Sequence, residues 1–289
     1  MRAAISISSQ GFCRPENEQI DVPWWSFTKL VIATAALKLV EKGLLDLDGR
    51  LPGRRFTLRQ LLQHEAGLPD YGWLETYHSA VANGEEPWSA EEIIGRTFEA
   101  FPPWEPGTRW AYSNIGYYYL RELIVDAARK EFWAALDALA LTPAGVRNVR
   151  YAASKADLEP VQMGKGRGYD PRWVLHGLLV GPITEAASFL YGLLAGTVLN
   201  EQMFAEMRKV RLLPQFRDEL WKHPAYGLGI MGAWDGLASP CSHSGDGPGS
   251  GIAVYGKVVD GKVSIAACWE SRGTSREAER IVLEKLEQI

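Results

Sequence analysis

The chain has 289 residues, of which 46% are apolar and 23% charged, so it can bury a large core and disorder is excluded. Its 31 basic and 35 acidic side chains give a net charge of −4, which provides no positive field for nucleic acid or anionic lipid. A small molecule or a peptide is therefore the expected partner, and the composition predicts no oligomeric state.

The cysteines and the first residues bear on the cellular compartment. Cys13, Cys241 and Cys268 are odd in number and lack CxxC spacing, so we expect buried free thiols rather than disulfides or a zinc site. Residues 1–19 contain no apolar run typical of a secretory leader, and no stretch reaches transmembrane length. We expect a soluble protein, cytoplasmic as the sequence stands and periplasmic if a leader has been removed.

The first predicted elements are a strand and a helix. Residues 2–8 alternate and are followed by a turn signal at 10–11, which predicts a first strand or hairpin. From Ser26 the apolar residues recur at helical spacing as far as Gly43, which is a helix stop. This segment is predicted to be a largely buried helix.

The middle of the chain is predicted to be mostly helical. A second amphipathic helix is expected to begin behind a Thr57 cap and to end at Gly67. Residues 70–180 show helical patches separated by Pro and Gly clusters, which indicates an irregular helical region. A further helix is predicted over 183–196, with Thr184 near its start.

The last part of the chain changes character. Residues 251–258 and 262–270 are strand-like and flank the turn signal at 260–261, which predicts a β-hairpin. A capping box at 274–277 introduces an amphipathic closing helix over 276–288.

Together these elements predict an α+β fold. Strands at both chain ends are expected to form one antiparallel sheet flanked by helices, with a mostly helical insertion. The predicted division is a sheet subdomain of residues 1–45 and 181–289 and a helical subdomain of residues 46–180. We expect the active site at their junction.

The first candidate motif is Ser26 with Lys29, three residues further along a helix. At this spacing the two side chains share a helix face, so a nucleophile and its base can meet. A lysine in an apolar wall ionises less readily and can act in its neutral form. The alternative interpretation is a capping serine beside a lysine that extends to the surface.

The second motif is Tyr112-Ser113-Asn114, between a Pro-Gly turn and an apolar helix. A tyrosine beside a cation can lose its proton below its usual pKa and serve as a general base. The Asn114 amide can hold both a lysine and a substrate carbonyl. The alternative is a helix cap with a packed tyrosine.

The third motif is His243-Ser244-Gly245, in a glycine-rich stretch before or within a strand. The glycines would let a substrate lie against the strand edge, and the backbone N–H of Asp246 could join that of Ser26 as an oxyanion hole. The alternative is a tight turn with a surface histidine.

Two other chemistries are not supported by the sequence. His64 is followed by Glu65, but Leu68 stands where a zinc-binding helix needs its second histidine, so His64 is predicted to be a structural hydrogen-bonding residue. No G-x-S-x-G is present, which argues against an α/β-hydrolase elbow. We expect no metal and no cofactor.

The three motifs in this order resemble those of penicillin-interacting serine enzymes. Specifically, the chain resembles the class C branch of the β-lactamase and transpeptidase-like superfamily, in which Tyr-x-Asn replaces Ser-Asp-Asn. That branch holds low-molecular-weight penicillin-binding proteins, class C β-lactamases, esterases and D-aminopeptidases. The resemblance is clear over residues 22–114 and looser over 181–289.

The resemblance implies a role for each motif residue. It implies Ser26 as the acylated nucleophile, Lys29 as its proton partner and Tyr112 as the general base that also protonates the leaving group. Asn114 would position the substrate amide. His243 would steer a substrate carboxylate or hydrogen-bond to Tyr112.

Two departures from the family pattern shape the expected activity. His-Ser-Gly replaces Lys-Thr-Gly, and a histidine largely neutral at pH 7 holds a carboxylate less firmly, so a peptidase or esterase is favoured over a β-lactamase. The run before Ser26 is short, so an N-terminal element could be missing and the pocket more open. The expected enzyme is a serine hydrolase of carboxypeptidase or esterase type; the alternatives are a non-catalytic ligand-binding protein and a plain small-ester carboxylesterase.

Overall fold

A computed structural model describes residues 2–8, 11–13, 20–234 and 238–288, with side chains from residue 20 onward. The described residues form an α+β fold, as predicted, and the strands run as follows in chain order. They are β1 (Arg2–Ser8), β2 (Gly11–Cys13), β3 (Asp21–Pro23), β4 (Arg150–Ala152), β5 (Leu178–Pro182), β6 (Arg211–Leu212), β7 (Pro224–Tyr226), β8 (Met231–Ala233), β9 (Cys241–Gly247), β10 (Ser250–Val259) and β11 (Lys262–Glu270).

The helices lie mainly between the terminal groups of strands. They are α1 (Thr28–Glu41), α2 (Leu58–Leu62), α3 (Glu75–Ala82), α4 (Ala90–Ala100), α5 (Asn114–Ala128), α6 (Phe132–Leu136), α7 (Lys155–Leu158), α8 (Ile183–Leu194), α9 (Glu201–Met207) and α10 (Ser275–Glu287). None of the helices described is long and apolar enough to cross a membrane.

The larger sheet joins the two ends of the chain. Within the described residues its order is β2-β1-β11-β10-β9-β8-β7-β6, and every pairing is antiparallel. The first strand pairs with the last, from Arg2 opposite Glu270 to Ile7 opposite Ile265. The predicted sheet from both chain ends and the hairpin of β10 and β11 are therefore confirmed, while Gln10 of the predicted first turn lies outside the described residues.

Two helices cover the two faces of this sheet. Along β10 the side chains alternate, so that Val254 joins the core that contains Phe189 of α8. Tyr255 points the other way, into a cluster with Val282 of α10. Because both faces are covered, both sets of side chains are apolar, which explains the continuous apolar runs in β10 and β11.

Helix α1 lies in the centre of the molecule. It is apolar on all sides, and nearly every residue from Thr28 to Leu39 is buried. It ends at Glu41, and Gly43, the predicted stop, follows two residues later with φ +68°. At its start the structure differs from the expectation, because Ser26 lies in a 3-10 turn, Trp25–Phe27, that leads into the helix.

Helix α2 is shorter than predicted. The Thr57 cap is confirmed, since Thr57 and Gln60 form a capping box. The helix ends at Leu62 rather than at Gly67, because His64 adopts φ +60° and turns the chain out of the helical path.

A second, three-stranded sheet was not predicted. Its order is β3-β5-β4, and Asp21 of β3 pairs with Pro182 of β5. It joins strands from both predicted subdomains, whose division stays a prediction. Cys241 and Cys268 are buried thiols rather than members of a disulfide, as expected, and the side chain of Cys13 lies outside the described residues.

Candidate active site

Ser26 stands on a strained turn. The preceding Trp25 has φ +41°, a left-handed conformation that a tryptophan adopts only when its surroundings enforce it. The Trp25 indole Nε1 donates to Ser250 Oγ at 3.0 Å, and the ring meets Tyr169 edge to face at 5.6 Å. These contacts fix the backbone that carries Ser26.

Lys29 lies directly beneath Ser26. Its Nζ is 3.1 Å from Ser26 Oγ, and the whole side chain is buried. Burial holds the pKa of Lys29 well below its usual value, although the charge of Asp70 opposes this. The amine can therefore be neutral and accept a proton from the serine hydroxyl.

Tyr112 covers this pair. Its ring centroid is 5.0 Å from Lys29 Nζ, and its hydroxyl is hydrogen-bonded to Ser26. Burial raises the pKa of Tyr112 well above its usual value, and the Ser26 hydrogen bond only partly offsets this. The expected lowering of this pKa is wrong, because desolvation outweighs the effect of a lysine that is itself poorly charged.

Ser113 and Asn114 of the second motif are held by hydrogen bonds within the protein. Ser113 caps α5 by accepting from Gly116 N at 3.1 Å. The Asn114 amide Nδ2 donates to both oxygens of Asp70, at 3.0 and 3.1 Å. Asp70 is buried, and burial raises its pKa. Asp70 was not predicted, and it fixes Asn114 with the amide nitrogen turned inward.

His176 also belongs to the site and was missed. Its Nε2 lies 3.1 Å and its Nδ1 3.5 Å from Lys29 Nζ. It is 3% exposed, and burial holds its pKa well below the usual value. A single histidine in the apolar run of residues 173–180 was the available signal, since a buried polar group requires a partner.

His243 is held in one neutral tautomer by a chain of hydrogen bonds. Ser113 N donates to His64 Nδ1 at 3.0 Å, so His64 Nε2 carries the proton and donates to Tyr226 Oη at 3.1 Å. His243 Nδ1 faces the Ser244 carbonyl at 2.5 Å and is the protonated nitrogen. Tyr226 Oη then donates to His243 Nε2, 3.2 Å away. The role predicted for His64 is confirmed.

His243 is consequently uncharged. Burial, with a smaller contribution from the Lys29 charge, lowers the pKa of His243 to about 3. Its hydrogen bonds go to Tyr226 and Ser244 rather than to Tyr112, which differs from one role expected for it. The ring still lines the cleft.

Gly245 is where strand β9 touches the nucleophile turn. A Cβ at this position would overlap Ser26 N and stand 2.9 Å from Trp25 Cβ. The third motif therefore needs glycine for close approach, and the Ser26 backbone nitrogen lies beside Gly245, next to Asp246. The Asp246 carboxylate accepts from Ser275 Oγ at 2.6 Å.

Two cavities open on the nucleophile. One has a volume of about 530 Å³ and is lined by Tyr112 and His243, and the other has a volume of about 380 Å³. Both reach Ser26, Asn114 and Asp246. The aromatic walls of the smaller cavity are Trp25, Tyr71, Tyr77 and Tyr169. Among the described residues, no group of three His, Cys, Asp or Glu side chains converges to hold a metal ion.

An α+β fold with a serine beside a buried lysine fits the class of penicillin-binding and β-lactamase-like proteins. The sequence profile of the β-lactamase family matches residues 17–286, so the chain belongs to this family of serine hydrolases. The resemblance found in the motifs is thereby confirmed.

Individual relatives agree with this membership. A penicillin-binding protein of Bacillus subtilis (strain 168) is 31% identical over 137 residues, 43% of this chain and 29% of that protein. Esterase EstB of Burkholderia gladioli is 28% identical over 196 residues, 57% of this chain and 50% of the esterase. The matched segments thus span half or less of these curated relatives.

Among solved structures, D-amino acid amidase from Ochrobactrum anthropi SV3, complexed with L-phenylalanine amide, superposes with a TM-score of 0.78. The two chains are 20% identical, and the match covers 99% of this chain and 93% of the amidase. At this level of identity the likeness establishes the fold alone.

Proposed function

We propose that the protein hydrolyses an amide or ester through an acyl-enzyme on Ser26, without a metal or cofactor. The observation that carries the proposal is the 3.1 Å approach of Ser26 Oγ to the Nζ of Lys29, which is buried and can be neutral. A neutral amine at this distance can take the serine proton as the oxygen attacks.

The proton can then travel to the leaving group. Ser26 Oγ bonds to the substrate carbonyl carbon, and its proton passes to Lys29. As the carbonyl re-forms, the Tyr112 phenol gives its proton to the departing nitrogen or oxygen and is reprotonated from Lys29. Water repeats the sequence on the acyl-enzyme and releases the acid. In this scheme the raised pKa of Tyr112 suits a proton donor better than a resting phenolate.

The backbone N–H groups of Ser26 and Asp246 are proposed as the oxyanion hole. The close approach of Gly245 to Ser26 N and the opening of both cavities onto Ser26 and Asp246 support this pairing. Asn114, held by Asp70, is proposed to position the substrate carbonyl or amide.

Within the family, a D-peptidase or esterase activity is favoured over β-lactam hydrolysis. The third motif presents a neutral His243 rather than a cation, so it attracts a carboxylate weakly. Two of the related proteins, an esterase and a D-amino acid amidase, carry activities of the proposed kind.

Covalent labelling with a fluorophosphonate tests the nucleophile. Ser26→Ala is expected to abolish labelling and to lower hydrolysis of p-nitrophenyl butyrate by about a thousandfold or more. Ser79→Ala, an exposed serine on α3, is the matched control and should label normally. Labelling retained in Ser26→Ala would refute the proposal, and reversible binding without acylation in the wild type would favour a non-catalytic protein.

Relative rates on three substrates distinguish the subclasses. We expect p-nitrophenyl butyrate or a D-amino-acid derivative to be turned over faster than nitrocefin. Nitrocefin as the best substrate would contradict the assignment.

A further inference from the structure

The hydroxyl of Ser244 is already used within the protein. Ser244 Oγ donates to Glu279 Oε1 at 2.5 Å, and both side chains line the cavity of about 530 Å³. A serine hydroxyl has one hydrogen to donate. While Glu279 accepts it, Ser244 cannot donate to an anionic group of a ligand.

Glu279 is fixed by several donors. Trp221 Nε1 donates to Oε2 at 3.0 Å, and Tyr255 Oη donates to Oε1 at 3.3 Å. Arg276, one helical turn before it on α10, lies 3.5 Å from Oε2. Hydrogen-bond donors on both oxygens suit an ionised carboxylate. Glu279 is only 5% exposed, so the side chain has little freedom to move away from these donors.

The charges around the cavity compensate this carboxylate only in part. Of the described residues that line it, Asp218, Asp246 and Glu279 are acidic and Arg276 is basic. Arg276 is shared between Asp218, at 2.5 Å, and Glu279, at 3.5 Å, so the three acidic side chains outweigh it, and His243 is neutral. A second carboxylate entering from a ligand would meet a fixed negative charge and, among the described residues of the cavity wall, no unpaired cation.

This cavity lies on the leaving-group side. Tyr112, proposed to protonate the leaving group, lines it and does not line the smaller cavity. The acyl group is thereby assigned to the smaller cavity, whose walls include Trp25, Tyr71 and Tyr77. This step rests on the proposed function.

We infer that Glu279 determines specificity: its fixed negative charge beside Ser244 excludes leaving groups that carry a carboxylate and admits uncharged or cationic ones. The substrate class is then amides and esters of aromatic or apolar acids with a neutral or cationic leaving group. Peptides with a free carboxylate at the leaving residue, and penicillins, whose carboxylate is next to the ring nitrogen that acts as the tethered leaving group, are disfavoured.

A matched substrate pair isolates this charge. The phenylacetyl esters of glycolamide and of glycolate differ only in a carboxamide or a carboxylate on the leaving group. We expect the wild-type kcat/KM to favour the glycolamide ester by about tenfold or more, since like charges in a desolvated cavity repel strongly. A ratio near one would overturn the inference without any variant.

Glu279→Gln assigns the discrimination to this residue. We expect the ratio to fall by about tenfold or more, while Glu284→Gln, an exposed residue on the same helix, leaves it unchanged. An unchanged ratio in Glu279→Gln overturns the assignment. Fluorophosphonate labelling of Ser26 reports whether the Glu279→Gln variant still folds. If that variant does not fold, Ser244→Ala is measured instead. Because Ser244→Ala keeps Glu279, it must preserve the preference for the glycolamide ester.

A binding measurement tests the inference even if hydrolysis is too slow to compare. Phenylacetylglycinamide should protect wild-type Ser26 from the fluorophosphonate at a concentration about tenfold lower than phenylacetylglycine does; equal protection, or no protection by the amide, overturns the inference. Hydrolysis of the glycolamide ester by Ser26→Ala would instead refute the proposed function, whatever the ratio.

Discussion

Lys29 extends its amine into the protein interior, and the atoms around that amine set its charge. Burial disfavours the ammonium, while the carboxylate of Asp70 favours it. His176, neutral and 3.1 Å away, can accept a hydrogen bond from the protonated amine and keep it directed at Ser26. The base is thus defined by residues distant from it in the sequence.

Removing the His176 imidazole should weaken the protonated form of Lys29. We expect His176→Ala to lower kcat on p-nitrophenyl butyrate by about tenfold to a hundredfold with a small change in KM, because a proton acceptor is misplaced. Without this hydrogen-bond acceptor the pKa of Lys29 should fall further, so the acidic limb of the kcat profile should move to lower pH.

His176→Asn retains a hydrogen-bonding group and should recover part of the rate. The exposed His223 supplies the control, His223→Ala, with an unchanged profile. A His176→Ala enzyme that loses rate equally at every pH would indicate a purely structural role.

At the scale of elements, the 3-10 turn and strand β9 form one unit. The turn places Trp25 and Ser26 against Gly245 so closely that a methyl group has no space. Trp25 in turn occupies the space beside Gly247, where a Cβ would overlap its indole ring. Gly245 of the third motif and Gly247, two residues further on, are therefore required by packing, not by a flexible loop.

Gly245→Ala should separate the nucleophile from the strand. We expect a stability loss of about 1–3 kcal/mol, from overpacking, and a fall in kcat of about a hundredfold or more, since a small misplacement of reacting groups is costly. Urea unfolding and esterase kinetics measure the two effects. Gly95→Ala, in helix α4 with open space around its Cβ, should retain both stability and rate; a fully active Gly245→Ala would exclude the close packing.

The elements that the sequence predicted are those with local signals. Helix α1, the hairpin of β10 and β11, and the capping box of α10 follow from periodicity, a turn and a cap within a few residues. The small sheet depends on pairing Asp21 with Pro182, across the length of the chain, in strands too short for a pattern. The early end of α2 depends on the backbone of His64, which tertiary hydrogen bonds hold.

For the whole molecule, the cleft is a meeting point of distant segments. The three predicted motifs meet there. They could be predicted because each has its own recognisable spacing in the sequence. Asp70, His176 and Glu279 were missed, since each is an isolated polar residue whose partner is far away along the chain. A single sequence shows such residues as polar, without showing which group they contact.

The buried histidines of this cleft also make global stability depend on pH. His64, His176 and His243 all have pKa values lowered by burial, that of His243 to about 3. Between the usual histidine pKa of about 6.5 and the lowered value, the unfolded chain binds more protons than the folded one, so stability falls as the pH falls. Each such histidine contributes a slope of up to about 1.4 kcal/mol per pH unit.

His243→Asn should flatten this dependence. Urea unfolding at pH 7 and pH 5 avoids most titration of ordinary carboxylates, and the wild-type free energy of unfolding should decrease over this interval. In the variant the decrease should be smaller by about 2 kcal/mol, the contribution of one histidine with these two pKa values. His223→Asn, which replaces an exposed ring, should behave as the wild type. If the free energy of unfolding decreases equally in His243→Asn and in the wild type, His243 is protonated in the folded state. The preference against carboxylates, which depends on a neutral third motif, would then have to be abandoned.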